Sequence, residues 1–549
     1  MSQTLEDLSL QFYQVLCNIV GSKDVVKTRR NLFTVMDFTF NDNEHATTIS
    51  SGSKAEGVDL KGSDYDQMVV YEAFRVFESI SDEIYLSKKV PLLMDTNGTK
   101  PGFTKLKLFK KSDKILSEVT DWSYTLGQDT YISSQLVKEY FLPPWTQIHG
   151  PCACVPGDIF DCAMTYRCNE WIAPAQQWID RARFNWPSEK LVISVVQDGV
   201  LFVPIGCKSS PNEYLEWRMS FSMAEKKLIH SLSHTQLLCY ALLKIVLKNI
   251  IKPKHGDLIC SYFLKTIMFW LCEEFQSSDW KPEKMFLCFM NCLRRLIYSV
   301  EYKTCLHYFI PDINLFEERF TGDQHKMLLE TLRLLYTSPW TSIFYTPTFQ
   351  KYRIRSNNLH VFELTTSELS CLWYPTMQIY FATNSAEHAF NYVKRSIIGF
   401  KRFKEREVCK YMISLMLKKH IQLRKPQIFV RNNKSFYRQY NITIGSFRIC
   451  ISSDALSNWL LLASFMYQHK RFLECIDIIN HCLLQCTPDK IYSFFKKNVE
   501  ENTVFEKMKK TVGLILTCKH LMYQDVHFFH PFQLLPIELT SYQNHFSPS

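Results

Sequence analysis

The residues best suited to chemistry are acidic and follow a glycine–serine pair. Ser51-Gly52-Ser53-Lys54-Ala55-Glu56-Gly57 precedes Gly62-Ser63-Asp64-Tyr65-Asp66-Gln67-Met68. Side chains at i and i+2 of a strand project from one face, so Asp64 and Asp66 would stand together at a strand head. Glycine lets a ligand approach the backbone, and the N–H groups of such a turn can hold a phosphate. A few carboxylate oxygens, substrate phosphates and water make up the coordination that Mg²⁺ favours. Metal-assisted work on a phosphate is the chemistry this set would support. A solvated strand end, where Asp accompanies Gly and Ser in turns, uses the same residues.

Further candidates follow along the chain. Gly150 to Asp158 reads as a turn, and Ile159-Phe160-Asp161-Cys162-Ala163-Met164 as a strand carrying one acid among apolar residues. A carboxylate there needs a partner, and a metal is a good one; an Asp capping the strand end is the alternative. In Glu216-Trp217-Arg218-Met219-Ser220-Phe221-Ser222-Met223-Ala224-Glu225, Arg218 offers a planar fork for a phosphate or a guanine edge. Ser220, Ser222 and Glu225 offer hydroxyl and carboxylate partners for a base. A serine-capped helix start with a surface arginine is the plainer account of that segment. Lys244 lies on an amphipathic stretch, ordinarily a solvated face. Tyr262 offers a ring on which a base could stack, worth about 1–3 kcal/mol, although a tyrosine at helical spacing is more often core.

The elements that must position these residues are legible in part. Ala46-Thr47-Thr48-Ile49 favours a strand that Gly52-Ser53 would break, and Tyr65 to Tyr71 favours a second. Leu5, Leu8, Phe12, Val15, Leu16 and Ile19 share a helical face; Gly21-Ser22 interrupts, and a second helix runs through Val25, Leu32 and Met36. Residues 72–98 read as helix and then loop. Phe103 to Phe109 alternates as a strand with Lys105 and Lys107 on its outer face and Lys110 and Lys111 beyond. Residues 222–244 read as one continuous helix.

Beyond residue 330 the pattern is helical, with a break at Pro426. Between Lys394 and Lys425 eleven Lys or Arg face only Glu405 and Glu407. A charged solvated helix face is expected there, with a nucleic-acid stripe as the alternative. Residues 458–479 read as a helical hairpin similar to one tetratricopeptide unit; a solenoid needs about three.

With 549 residues the chain exceeds one ordinary core. A content of 46% hydrophobic and 21% charged residues is that of a folded globular protein. No apolar run approaches the roughly 20 residues of a membrane span, and the first residues lack the basic and apolar regions of a signal peptide. The 19 cysteines show no framework spacing, so reduced thiols and a cytoplasmic location are expected. The net charge of +10 permits an acidic partner.

Taken together, the motifs resemble one family. Gly52-Ser53 with Asp-x-Asp on a strand is similar to the nucleotidyltransferase core of the cyclic GMP-AMP synthase-like receptors and the related male-abnormal (Mab) proteins. Trp171-Ile172-Ala173-Pro174 after the Asp161 strand, Trp217-Arg218-x-Ser220-Phe221-Ser222-x-x-Glu225, Ser261-Tyr262-x-x-Lys265-Thr266 and Tyr308-Phe309-Ile310-Pro311 continue the resemblance in order over roughly residues 5–330. It implies an α+β fold: a polymerase-β-like catalytic sheet with a spine helix and helical lobe over 1–330, then a helical accessory domain over 331–549.

The resemblance also implies a function. Asp64, Asp66 and Asp161, with Asp158 as fallback, would hold Mg²⁺ or Mn²⁺. Gly52, Ser53, Lys244 and Ser261 would contact phosphates, Tyr262 would stack a base, and Arg218, Ser220, Ser222 and Glu225 would read the acceptor nucleotide. ATP, GTP or another triphosphate would be joined into a cyclic dinucleotide in ligand-activated innate immune sensing. A catalytically inactive Mab-type binding protein and an oligoadenylate-type polymerase are the alternatives. Vertebrate relatives carry a His/Cys zinc thumb, whereas residues 222–244 offer only Cys239, His230 and His234. No structural zinc is therefore expected, and double-stranded RNA is preferred to DNA as an activator.

Overall fold

The computed structural model describes residues 3–350, 406–423, 433–492 and 499–523, with isolated positions between 526 and 538. Within these spans it leaves out 42–44, 61, 62, 64, 110–114, 116, 118, 143–145, 155–159, 185, 452 and 513. The chain divides into two compact units, Met1–Arg30 with Asn43–His360 and Asn31–Asp42 with Val361–Ser549. It is an α+β protein, and among the described residues no helix is long and apolar enough to cross a membrane. The described cysteines form no disulfide.

The first unit is built on one sheet. Its strands are β1 (Ala46–Ser51), β2 (Tyr65–Tyr71), β3 (Phe74–Phe77), β4 (Val90–Asp95), β5 (Phe103–Leu108), β6 (Ser123–Leu126), β7 (Asp129–Ile132), β8 (Gln147–His149), β9 (Cys152–Cys154), β10 (Phe160–Cys168), β11 (Val200–Val203) and β12 (Glu216–Ser220). They run in the order β1-β2-β10-β11-β12-β5-β4-β3, with β9 and β8 extending from β10 and β7 and β6 from β5. Most neighbours are antiparallel, but β2 and β10 are parallel, a pairing that needs a long crossover between them.

Burial explains why the strands stay in register. Phe74, Tyr166 and Trp217 stack from three strands, with ring centroids 5.5 and 4.9 Å apart, and the Trp217 indole N–H donates to the Ile132 carbonyl at 2.8 Å. Such rings each bury roughly 150–250 Å² and prefer offset or tilted contacts. On β2, Val70 joins Leu201 and Met223 in a small apolar cluster with Met68 and Ile49 alongside. That cluster anchors the strand behind Asp66, which shares the face of Met68 and Val70 by the two-residue period. The Gln3–Val20 helix buries Phe12, Leu16 and Val20; of the apolar face read from its sequence, Leu5 and Leu8 are exposed at 39% and 51%, and Val15 and Ile19 are half-buried.

Two local expectations need correction. Residues 72–98 hold strands β3 and β4 with one short helix, Asp82–Leu86, between them. Phe74 and Val76, then Leu92 and Met94, alternate with period two and are buried. Parallel pairing of β3 with β4 selects the extended form, a choice made by distant partners rather than local preference. Residues 222–244 form two helices, Ser222–Ser231 and His234–Val246, instead of one. The break is a capping box: the Ser233 hydroxyl accepts from the Gln236 N–H, and the Gln236 side chain accepts from the Ser233 N–H. The Ser-x-x-Gln signature was present in the sequence.

The second unit is mainly helical over its described residues, with helices Arg406–Leu423, Asn433–Cys450, Ser457–Gln468, Phe472–Gln485, Val499–Val512 and Leu514–Leu521; it departs from the expected helical domain in one short parallel pair, Ile491–Tyr492 with Met522–Tyr523. The basic segment is not simply a solvated face. Much of it, including residues 394–405, lies outside the described residues, but Lys418 and Lys419 are buried at 6% and 2% exposure. The Lys418 ammonium donates to the Ser457 hydroxyl at 3.0 Å. Burial lowers both lysines, Lys419 to about 8.

Candidate active site

The pairing of β2 with β10 sets Asp161 directly opposite Asp66. Opposite residues share a face, so the two carboxylates come together although 95 positions separate them in the chain. Ser51 is opposite Asp66 on one side, and Cys154 is opposite Asp161 on the other. Burial and then the charges of Asp161 and Asp66 push the Cys152 thiol well up, so that thiol lies within the field of both acids. Asp64 and the fallback Asp158 lie outside the described residues.

Gly52 follows β1 and opens a single helical turn, Gly52–Ala55, in place of an open turn. Its φ is +70°, and a Cβ there would overlap the Asp66 carboxylate. Glycine is therefore required twice, for backbone conformation and for space. Among the described residues no group of three or more His, Cys, Asp or Glu is gathered as a metal site. Asp66 and Asp161 nevertheless supply hard carboxylate oxygens beside a glycine that clears room for them, a donor set that fits Mg²⁺ or Mn²⁺.

Residues 50–57 are gripped from several elements. Carbonyls of Gly57, Glu56 and Ser50 accept from Arg29 at 3.2 Å, Arg30 at 2.8 Å and Lys226 at 2.8 Å. His230 Nε2 donates to the Ala55 carbonyl at 2.9 Å. Lys244 donates to the Ser53 hydroxyl. The ammonium of Lys265 meets Glu56 at 2.6 Å and Glu225 at 3.0 Å, and the second oxygen of Glu56 is buried with no hydrogen-bond partner. Burial alone would lower Lys265, but the charges of Glu56 and Glu225 hold it well above its ordinary value. Glu225 thus spends one oxygen on an ion triad that ties the turn to two helices.

Three imidazoles here are neutral at ordinary pH. Burial, and then the charge of Arg30, lowers His230 to about 3 and His234 to about 4; burial and Arg218 lower His307 to about 4. Folded values lie below the unfolded value near 6.5, so stability is full above about pH 6.5 and is lost as pH falls toward 4. Each group contributes a slope of up to about 1.4 kcal/mol per pH unit in that window. Urea unfolding between pH 7 and 4.5 should show a shallower slope for His230→Gln than for the wild type; equal slopes would remove His230 from the account.

A second cluster lies at the end of β12. Arg218 is exposed and makes no ion pair among the described residues, but its charge is felt by Tyr262 and His307. Ser220 is half-buried opposite Leu201. Ser222 opens the next helix with its hydroxyl buried and unpartnered. Ser261 is exposed at the start of the Ser261–Glu274 helix. Beside it, the half-buried Tyr262 hydroxyl lies 2.7 Å from His307 Nε2.

The lysines considered for nucleic acid are already paired: Lys105 with Asp95 at 2.9 Å and Lys107 with Asp129 at 2.8 Å. Lys110 and Lys111 lie outside the described residues. Arg29, Arg30 and His307 carried no signal in the sequence, and the contacts of Glu56 and His230 carried none either, because their partners come from distant segments.

Comparison with known proteins places part of the chain beside one family. Residues 236–333 match the Mab-21 protein HhH/H2TH-like domain, a span that includes Lys244, Ser261, Tyr262, Lys265 and His307 but not the acid-bearing strands. The chain is 28% identical over 160 residues to cyclic GMP-AMP synthase of Mus musculus, covering 26% of this chain and 32% of the relative. It is 27% identical over 180 residues to cyclic GMP-AMP synthase of Sus scrofa, covering 29% and 36%. The matches therefore span about a third of each relative's length.

Proposed function

We propose that this chain, similar over part of its length to cyclic GMP-AMP synthase and to the Mab-21 proteins, is a metal-dependent nucleotidyltransferase of that family joining nucleoside triphosphates into a cyclic dinucleotide. The observation that carries the reading is the register of Asp66 with Asp161, with Gly52 leaving room at the carboxylate. Asp66 and Asp161, joined by Asp64, would hold the metal; when bound, Mg²⁺ or Mn²⁺ would supply charge neutralisation and a more acidic hydroxyl. In the reaction an acceptor ribose hydroxyl attacks the α-phosphorus of a triphosphate. A P–O bond to the acceptor forms, the bond to pyrophosphate breaks, and the hydroxyl proton is released. Positioning and electrostatics account for most of such a reaction.

The chain's own residues do the positioning. Gly52 and Ser53 cradle phosphate oxygens, with Lys244 held beside Ser53 to add charge. Ser261 lies at an exposed helix start suited to a phosphate. Arg218, Ser220 and Ser222 read the acceptor nucleotide, and Glu225 reads it with the oxygen not given to Lys265. Tyr262 provides the stacking face.

Incubation with all four triphosphates and Mg²⁺ or Mn²⁺, with and without double-stranded RNA or DNA, followed by mass spectrometry of the products, tests the reading. A cyclic product supports it, and a linear oligomer points to a polymerase. Binding without turnover under every condition would overturn it in favour of a Mab-type binding protein. For the base platform, Tyr262→Ala should weaken nucleotide use about 5- to 150-fold, as expected for loss of about 1–3 kcal/mol of stacking. Tyr262→Phe should cost less because the ring remains; equal KM changes in the two variants would exclude stacking.

A further inference from the structure

We propose that His307 is a positioning residue that orients the Tyr262 hydroxyl, so that the phenol presents its proton to a hydrogen-bond acceptor on a nucleotide base. The inference rests on reading Tyr262 as the base platform. Neither His307 nor any role for the hydroxyl was foreseen from the sequence.

The tautomer follows from the backbone. The N–H groups of Phe309 and Ile310 donate to His307 Nδ1 at 3.2 and 3.0 Å, so Nδ1 carries no proton. A neutral imidazole then bears its proton on Nε2, and that nitrogen lies 2.7 Å from the Tyr262 oxygen. His307 is therefore the donor in this bond. The phenol oxygen is engaged as acceptor, its own proton is left to be donated elsewhere, and among the described residues it has no other partner.

The loop carrying His307 is well fixed. The Cys305 N–H donates to the Asn314 side chain at 2.9 Å, and the His307 N–H donates to the Ile313 carbonyl at 2.8 Å. The imidazole is 7% exposed, with the Phe221 and Phe309 rings 5.6 and 6.1 Å away. Burial and the charge of Arg218 keep it neutral, which preserves the one-donor, one-acceptor pattern. A base atom that faces the phenol must consequently be an acceptor, a ring nitrogen or carbonyl oxygen, and not an exocyclic amine.

The test uses the full chain and four forms: wild type, His307→Phe, Tyr262→Phe and the double variant. Binding of ATP, GTP and their 3-deaza and 7-deaza analogues is measured by calorimetry. Urea unfolding of the ligand-free proteins is measured in parallel. Loss of one hydrogen bond predicts a roughly 3- to 10-fold weaker Kd in each single variant. The double variant should be no weaker than either single one, and His307→Gln, which keeps an N–H donor, should recover most of the affinity. If the acceptor is a ring nitrogen, one deaza analogue should bind less well to wild type yet equally to Tyr262→Phe.

Additive losses, or unchanged affinity in His307→Phe alongside a weakened Tyr262→Phe, would overturn the positioning role. Coupling in the unfolding cycle with no triphosphate bound by the wild type would overturn the nucleotidyltransferase reading and the positioning role with it. Binding by the wild type with no coupling would overturn the positioning role alone.

Discussion

Asp66→Asn combined with Asp161→Asn is expected to lower product formation from triphosphates below about one-thousandth of wild type. The effect is large because both substitutions remove anionic oxygens from the same sheet face, where β2 and β10 pair in register. Asparagine keeps the size and the strand geometry, so the thermal midpoint should move by no more than a few degrees. Titration of Mn²⁺ followed by electron paramagnetic resonance provides a readout independent of turnover, and the double variant should show weakened binding. Asp64→Asn with Asp66→Asn should have the same effect on turnover. Retained activity in a correctly folded double variant would sink the metal assignment.

Lys265→Met is expected to destabilise the first unit by about 3–5 kcal/mol, the usual result of removing one partner from a buried ionic cluster. Without the ammonium, Glu56 and Glu225 are left as two nearby buried carboxylates, one of which already has an oxygen without a partner. The Lys265 pKa is raised in the folded state, so its contribution is complete below the unfolded lysine value near 10.4 and is lost only as pH rises through the folded value. The loss in the variant should therefore be constant between pH 7 and 9. Adding Glu56→Gln and Glu225→Gln should recover most of it by removing the uncompensated charge. Urea unfolding of the single and triple variants measures both effects, and a single variant as stable as wild type would show that the triad has no structural weight.

The two predictions separate chemistry from support. On the proposed reading, Asp66 and Asp161 act where β2 and β10 pair in register. Lys265 holds the turn that carries Gly52 and Ser53, through Glu56, to helices that arrive late in the chain. A variant of Lys265 that folds in stabilising solutes should show reduced turnover together with raised mobility of the turn.

Short-range order was legible in the sequence wherever it rests on local periodicity. The strands on either side of Gly52 and the alternation through Phe103 to Leu108 emerged as read, and so did the apolar face of the Gln3–Val20 helix from Phe12 onward, though not at Leu5 and Leu8. Each depends on side-chain spacing within a few residues. The two departures differ in cause: at 222–244 a local signal, the capping box, ends one helix and starts another, whereas at 72–98 the pairing of β3 with β4 selects the extended form.

The site itself divides along the same line. By itself the sequence determined which residue types were available: two acids at one strand start, a third on a later strand, and a glycine–serine pair ahead of them. Only the tertiary structure decided that Asp161 stands opposite Asp66, that Lys265 reaches Glu56 across 209 positions, and that His307 meets Tyr262 across 45. Local preferences act over a turn of helix or a pair of strand residues. Ion pairs, sheet register and imidazole tautomers are set by groups that meet only after the chain has closed on itself, and no spacing within either segment encodes that meeting.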